Sequence, residues 1–187
     1  LESIFLSHDI DSKIFVTKKI NEVDLIIKKY TDPQQYIYCG IGGDGTLNSL
    51  INALLKNNIK EPEVACISSG SGSDFLRTFA MPNNINDAIL RIKKDENYLV
   101  DTCLIKSKSN SKYFINVLNY GFLADTVRLS EKLPNFVKRF RYPISFWLKL
   151  LSAKQSVFDI DTKKYIFNSQ AFNVSICNGQ YFGGGWN

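Results

Sequence analysis

The sequence has 187 residues, 44% of them apolar and 22% charged, with a formal net charge of +5 at neutral pH. That is the composition of an ordinary soluble globular protein, long enough for one good core or two small ones. It excludes a helical membrane span, because no run approaches the roughly 18 apolar residues a bilayer requires.

The opening stretch, LESIFLSHDIDSK, carries acidic residues early and lacks a basic segment followed by an apolar run, so it does not read as a secretory signal. It starts on Leu1 rather than Met, and a fragment is expected. Cys39, Cys66, Cys103 and Cys177 are far apart in sequence and lie among apolar or β-prone neighbours. Buried, reduced thiols of a cytoplasmic protein are the expectation. His8 is the only histidine and stands in a polar stretch, which argues against histidine-based catalysis or metal binding. Residues 125–164 hold nine Lys or Arg against four Asp or Glu, an excess of five that equals the whole net charge. A local basic surface is implied, not a generally cationic protein.

In chain order, SKIFVT (12–17) alternates like a short strand and EVDLIIKKY (22–30) has a helical apolar stripe, ended by Thr31, Asp32 and Pro33. QYIYCGI (35–41) predicts a strand, TLNSLINALLKNN (46–58) a helix, and EVACI (63–67) a second strand. The loop SSGSGSD (68–74) follows, then helical FLRTFA and INDAILRIKK (85–94), divided by MPNN. Strands alternating with helices predict an α/β unit with a parallel sheet over residues 1–96. Beyond that, YLVDTCLIK, KYFINVLNYG, SVFDIDTKKYIF and AFNVSICNG are strand-like, with one helical region at roughly 123–152. A mainly antiparallel second domain over 97–187 is expected.

Two loops, GGDGT and SSGSGSD, each follow a predicted strand and precede a predicted helix. In an open parallel sheet such loops lie at the carboxyl edge, where ligands bind. Free amides at a helix start and the helix dipole favour anions, and glycine lets the backbone approach closely. Neither loop is a GxxxxGK[ST] or GxGxxG sequence, and taken singly each is equally well a tight strand-to-helix turn. Asp44, inside the first loop, suits phosphoryl transfer either by holding Mg²⁺ or by accepting a hydroxyl proton; it also suits a helix cap. Asp74, which opens DFLRTF, offers the same choice.

GGDGT after an apolar strand resembles the signature shared by diacylglycerol, sphingosine and NAD kinases. SSGSGSDF about 25 residues later resembles the second motif of the diacylglycerol kinase branch, and the likeness continues through VDTCLI (100–105), NYGFLADTVR (119–128) and NVSICNGQYFGGG (173–185). The resemblance implies a Rossmann-like nucleotide-binding domain followed by a β-sandwich domain, with ATP and Mg²⁺ used to phosphorylate a lipid hydroxyl in phospholipid metabolism. It implies that Gly42, Gly43, Asp44, Gly45 and Thr46 form the phosphate and catalytic loop, and that Gly70, Ser71, Gly72 and Ser73 line the other side of the cleft. Asp44, Asp74 and Asp101 match three family aspartates linked to nucleotide, Mg²⁺ and structural hydrogen bonding. Ser73 stands where the family has Asn. The family's opening strand with its NP…SG contact and its later acidic DG element have no counterpart here, so the resemblance implies a sequence truncated at both ends.

LPNFVKRFRYPISFWLKLLSAK (133–154) interleaves Phe136, Phe140, Phe146 and Trp147 with Lys138, Arg139, Arg141 and Lys149. Such a segment suits either an anionic membrane interface at the inner face or a helix packed on its own domain. Asp125 resembles the acidic headgroup-recognition residue of sphingoid-base kinases. A lipid partner is therefore expected and nucleic acid is not, since the basic segment carries no recognised nucleic-acid motif; self-association stays open. The alternatives are an NAD kinase-like phosphotransferase, which shares GGDGT, and a non-catalytic nucleotide- or lipid-binding domain.

Overall fold

The computed structural model describes residues 1–69, 73–94, 96–134, 137, 140–162 and 164–185. Gly70, Ser71, Gly72, Phe136, Lys138 and Arg139, singled out above, lie outside the described residues. The chain divides into two compact units, Leu1–Asn116 with Asn178–Asn187, and Val117–Cys177. The expected boundary near residue 96 falls inside the first of these.

In the first unit, α1 (Glu2–Ser7) and α2 (Ile20–Ile27) precede β1 (Tyr38–Gly42), α3 (Asp44–Lys56) and β2 (Val64–Ser68). β1 and β2 pair in parallel, Tyr38 with Val64 through to Gly42 with Ser68, with α3 as the crossover. The apolar positions of α3 recur at helical spacing and serve two clusters. Leu50, Ala53 and Leu54 pack with Ile27, Tyr38 and Ile59, while Leu47 packs with Cys66, Phe75, Leu76 and Ile115. A third cluster joins Phe5 of α1 to Ile67 of β2 and to Ala88 and Ile89 of α5 (Ile85–Lys93). Between β2 and α5 lies α4 (Asp74–Thr78), and β3 (Cys103–Lys106) pairs antiparallel with β4 (Ser111–Phe114). Asn52 of α3 fastens this hairpin by bonding both the carbonyl (2.9 Å) and the amide (2.9 Å) of Tyr113.

The second unit runs β5 (Val117–Gly121), α6 (Phe122–Lys132), α7 (Arg141–Leu151), β6 (Ser156–Asp161), β7 (Ile166–Ala171) and β8 (Asn173–Cys177). β5 pairs antiparallel with β8, and β6 with β7. Gly121, at φ +100°, turns β5 into α6 with its Cα facing the Phe172 carbonyl, where an added Cβ would lie at 2.5 Å. Helices α6 and α7 pack together, with the Phe122 and Phe146 rings edge to face at 5.2 Å.

The parallel first half and antiparallel second half agree with the sequence reading, and four local expectations are corrected. SKIFVT forms no strand: it runs beside no ladder, Val16 is exposed, and the Phe15 ring rests on Tyr30 at 5.5 Å. The run 112–121 is two strands, because Asn116 leaves the ladder and its carbonyl accepts from the amides of Asn178 (2.7 Å) and Gly179 (3.2 Å). The helical region at 123–152 is two helices, since Leu133 ahead of Pro134 takes extended geometry (φ −72°, ψ 146°). Cys177 is exposed at the end of β8. Burial pushes Cys39 up to about 12 and Cys66 up to about 11, so neither is a thiolate at neutral pH. Among the described residues no helix is long and apolar enough to cross a membrane.

Candidate functional site

Parallel pairing brings the carboxyl ends of β1 and β2, Gly42 and Ser68, to the same edge, so the two glycine-bearing loops leave side by side. Gly42 is buried, and a Cβ there would collide with the Thr46 side chain. Gly43 is the residue before α3, extended and without a side-chain cap on the helix. Its carbonyl takes the amides of Thr46 (2.9 Å) and Leu47 (3.2 Å). Among the described residues the amides of Asp44 and Gly45 have no hydrogen-bond partner, and Gly45 and Thr46 are exposed. This is an open helix start on a 13-residue helix.

Asp44 does not cap its own helix. Its carboxylate reaches across to the next loop and accepts from the amides of Asp74 (3.0 Å) and Phe75 (3.3 Å), capping α4. Burial raises its pKa above the ordinary value of 3.8 and the nearby Asp74 charge adds to this, while the two amides and Arg77 pull the other way. Asp74 is buried and does not cap α4 either. Its Oδ2 accepts from the Gly184 amide at 2.7 Å, and its Oδ1 is buried without a hydrogen-bond partner, 3.6 Å from Arg77 Nη1. Gly183, Gly184 and Gly185 all have positive φ, which is why this return segment is written with three glycines. Asn116 Nδ2 to the Tyr181 carbonyl (3.1 Å) and the Gln180 amide to Thr78 Oγ1 (3.2 Å) hold the rest of it.

Beside α4 lies a cleft of about 450 Å³ lined by Ser68, Ser73, Leu76, Arg77, Ala80, Met81 and Asn83. Ser73 is buried, its hydroxyl 2.7 Å from that of Ser68. Asp44, Asp74 and Ser73 are thus brought together at one edge with Gly42, Gly43, Gly45 and Thr46. Asp101 is exposed ahead of β3; its carbonyl accepts from Asn178 Nδ2 at 2.8 Å, and among the described residues its carboxylate makes no hydrogen bond or ion pair. No group of three or more metal-type side chains occurs among the described residues.

Asp125 belongs to the second unit, exposed on α6 with Arg128 Nη1 at 3.7 Å. It lines a hollow of about 240 Å³ with Arg128, Leu129, Lys132 and Lys149. On α7, Trp147 is 65% and Leu151 88% exposed, and Phe140 and Tyr142 are exposed as well. Phe146 instead packs on Phe122. The sequence reading gave Arg77 no role and did not foresee the bond from the Gly184 amide to Asp74. Arg77 sits one helical turn after Asp74, a spacing that marks a facing pair; nothing local links Gly184 to Asp74.

The sequence profile described as the diacylglycerol kinase catalytic domain matches residues 1–105. The diacylglycerol kinase of Staphylococcus carnosus is 30% identical over 135 residues, covering 72% of this chain and 42% of its own length. A Shewanella frigidimarina protein, named a probable YegS-like lipid kinase, is 30% identical over 147 residues, covering 77% and 46%. The chain therefore spans less than half the length of these relatives. The crystal structure of a diacylglycerol kinase from Bacillus anthracis shares the fold, with a TM-score of 0.68 at 24% identity over 96% of this chain and 57% of that one. With more than half of its residues matched, the chain belongs to the diacylglycerol kinase catalytic domain family.

Proposed function

We propose that the full-length protein transfers the γ-phosphoryl group of ATP to a hydroxyl of diacylglycerol or a related lipid. The observation that carries this reading is the meeting of two loops at one parallel edge, with the Asp44 carboxylate fixed between an open helix start and the cleft beside α4. In this reading Gly42, Gly43, Gly45 and Thr46 let phosphate oxygens approach the free amides of α3, as anions do at helix starts. Ser73 is proposed to line the other wall. Domains 1–96 and 97–187 remain the proposed nucleotide-binding and β-sandwich parts.

Two carboxylates suit Mg²⁺, which is commonly held by one or two acids together with substrate phosphates. The buried Oδ1 of Asp74, lacking a hydrogen bond, is a hard oxygen donor of the right kind, and Asp44 is close enough for the two charges to influence each other. When bound, the metal neutralises charge on the transferring phosphoryl group. Asp101 is included in the proposal only through its main chain, which holds Asn178. Asp44, whose pKa burial raises, is the proposed acceptor of the attacking hydroxyl's proton.

On the acceptor side, the exposed Trp147, Leu148 and Leu151 of α7, with Lys149 on the same helix and Lys132 of α6 lining one hollow with it, match the chemistry of an anionic lipid surface. Asp125 is proposed to meet the lipid headgroup. The test is a panel of acceptors given to the full-length protein with labelled ATP and Mg²⁺: diacylglycerol, a sphingoid base and NAD. Label in a lipid is the expected result; label in NAD alone overturns the lipid reading in favour of an NAD kinase-like one, and label in neither favours a binding domain.

A further inference from the structure

We propose that Arg77 is the side chain that receives the nucleotide's polyphosphate in the cleft beside α4, held ready by Asp74. The inference rests on the phosphotransferase reading above. It begins with what the cleft lacks. The first amides of α4, which would otherwise attract a phosphate, are already taken by the Asp44 carboxylate at 3.0 and 3.3 Å. A polyphosphate entering here therefore needs a side-chain donor, and Arg77 is the only cation among the described residues that line the cleft. The remaining polar lining, Ser68, Ser73 and Asn83, is neutral.

The pairing of Arg77 leaves it available. Its Nη1 stands 3.6 Å from Asp74 Oδ1, well beyond the roughly 2.7–2.9 Å of a charge-assisted hydrogen bond. Among the described residues no hydrogen bond engages the guanidinium, whose five N–H donors match phosphate oxygens. Asp74 is itself pinned through Oδ2 by the Gly184 amide, so it steers the arginine without saturating it. Gly185 completes the arrangement, since a Cβ at that position would collide with the Arg77 guanidinium. Arg77 is 47% exposed at its side chain, open to a ligand and yet tethered.

The test is calorimetric binding of ATP, ADP and adenosine to the full-length protein, the Arg77→Ala variant and the Arg77→Lys variant. Unaltered protein is expected to bind ATP more tightly than adenosine. Arg77→Ala should weaken ATP roughly 10- to 100-fold, the scale of a lost charged hydrogen-bond pair, while leaving adenosine within about twofold. Arg77→Lys should recover part of the loss by restoring the charge without the fork. An undiminished preference for ATP in Arg77→Ala overturns the inference alone, and so does an equal loss for ATP and adenosine, which marks a structural role. Absence of ATP binding by the unaltered protein overturns the phosphotransferase reading and this inference with it.

Discussion

The two units use their apolar residues in opposite ways. The first gathers its apolar side chains into three buried clusters, and the buried Asp74 and half-buried Asp44 and Asn52 bond distant segments: Asp44 to α4, Asp74 to Gly184, Asn52 to Tyr113. In the second, among the described residues, the only fully buried side chains are Thr126 and Ser145, and large apolar groups such as Leu151 and Ile166 lie open. A carboxylate that accepts two amides 30 residues away fixes one loop against another. Helix α7 packs on α6 through Phe146, while its exposed Trp147, Leu148 and Leu151 have the chemistry of a contact surface.

That contrast can be broken by substitution. Leu54 is 0% exposed, and Leu54→Ala should cost about 2–5 kcal/mol in urea unfolding through lost burial and the cavity left behind. A small cost there would deny the first unit its core. Gly121→Ala should cost about 2–4 kcal/mol, because alanine at φ +100° is strained and its methyl meets the Phe172 carbonyl. A neutral result would show that the second unit's backbone is as loosely specified as its side chains. Smaller again is a pH effect at Asp44. Because burial raises its folded-state pKa above 3.8, its stabilising contribution is full below that value and is lost as pH rises through the raised one. The stability of the unaltered protein relative to Asp44→Asn should therefore improve as unfolding is measured from pH 7 down to pH 4; a constant difference would contradict the burial of this group. Least of all, Asp125→Asn removes an exposed pair at 3.7 Å and should change stability by no more than about 0.5 kcal/mol.

The elements that were legible in the sequence are those whose signal is local. Leu47, Leu50, Leu54 and their neighbours spell α3 by period, and the apolar runs around Cys39 and Cys66 spell β1 and β2. SKIFVT carries an equally good alternation, yet a strand also needs a hydrogen-bonding neighbour, and residues 12–17 have none among the described residues. Pro134 is a local mark of the division between α6 and α7, weaker than the helical period on either side of it. At the site, the glycine loops and Asp44 stood out by string, but not the role of Asp44 as cap of another helix. That bond joins residues 30 apart, as Asp74 and Gly184 are joined across 110, and no periodicity records such a meeting. Folding alone brings them together.

Lipid phosphorylation by the full-length protein and its Asp44→Asn variant, with labelled ATP, Mg²⁺ and diacylglycerol in mixed micelles, tests the central claim most directly. Asparagine keeps the size of the side chain and one acceptor for the α4 amides, and loses the charge and the base. The account predicts label in phosphorylated lipid from the unaltered protein and a fall in kcat of roughly a hundred- to ten-thousand-fold in the variant. Equal turnover by the two proteins would contradict it, and would leave Asp44 as no more than the residue that fastens α4.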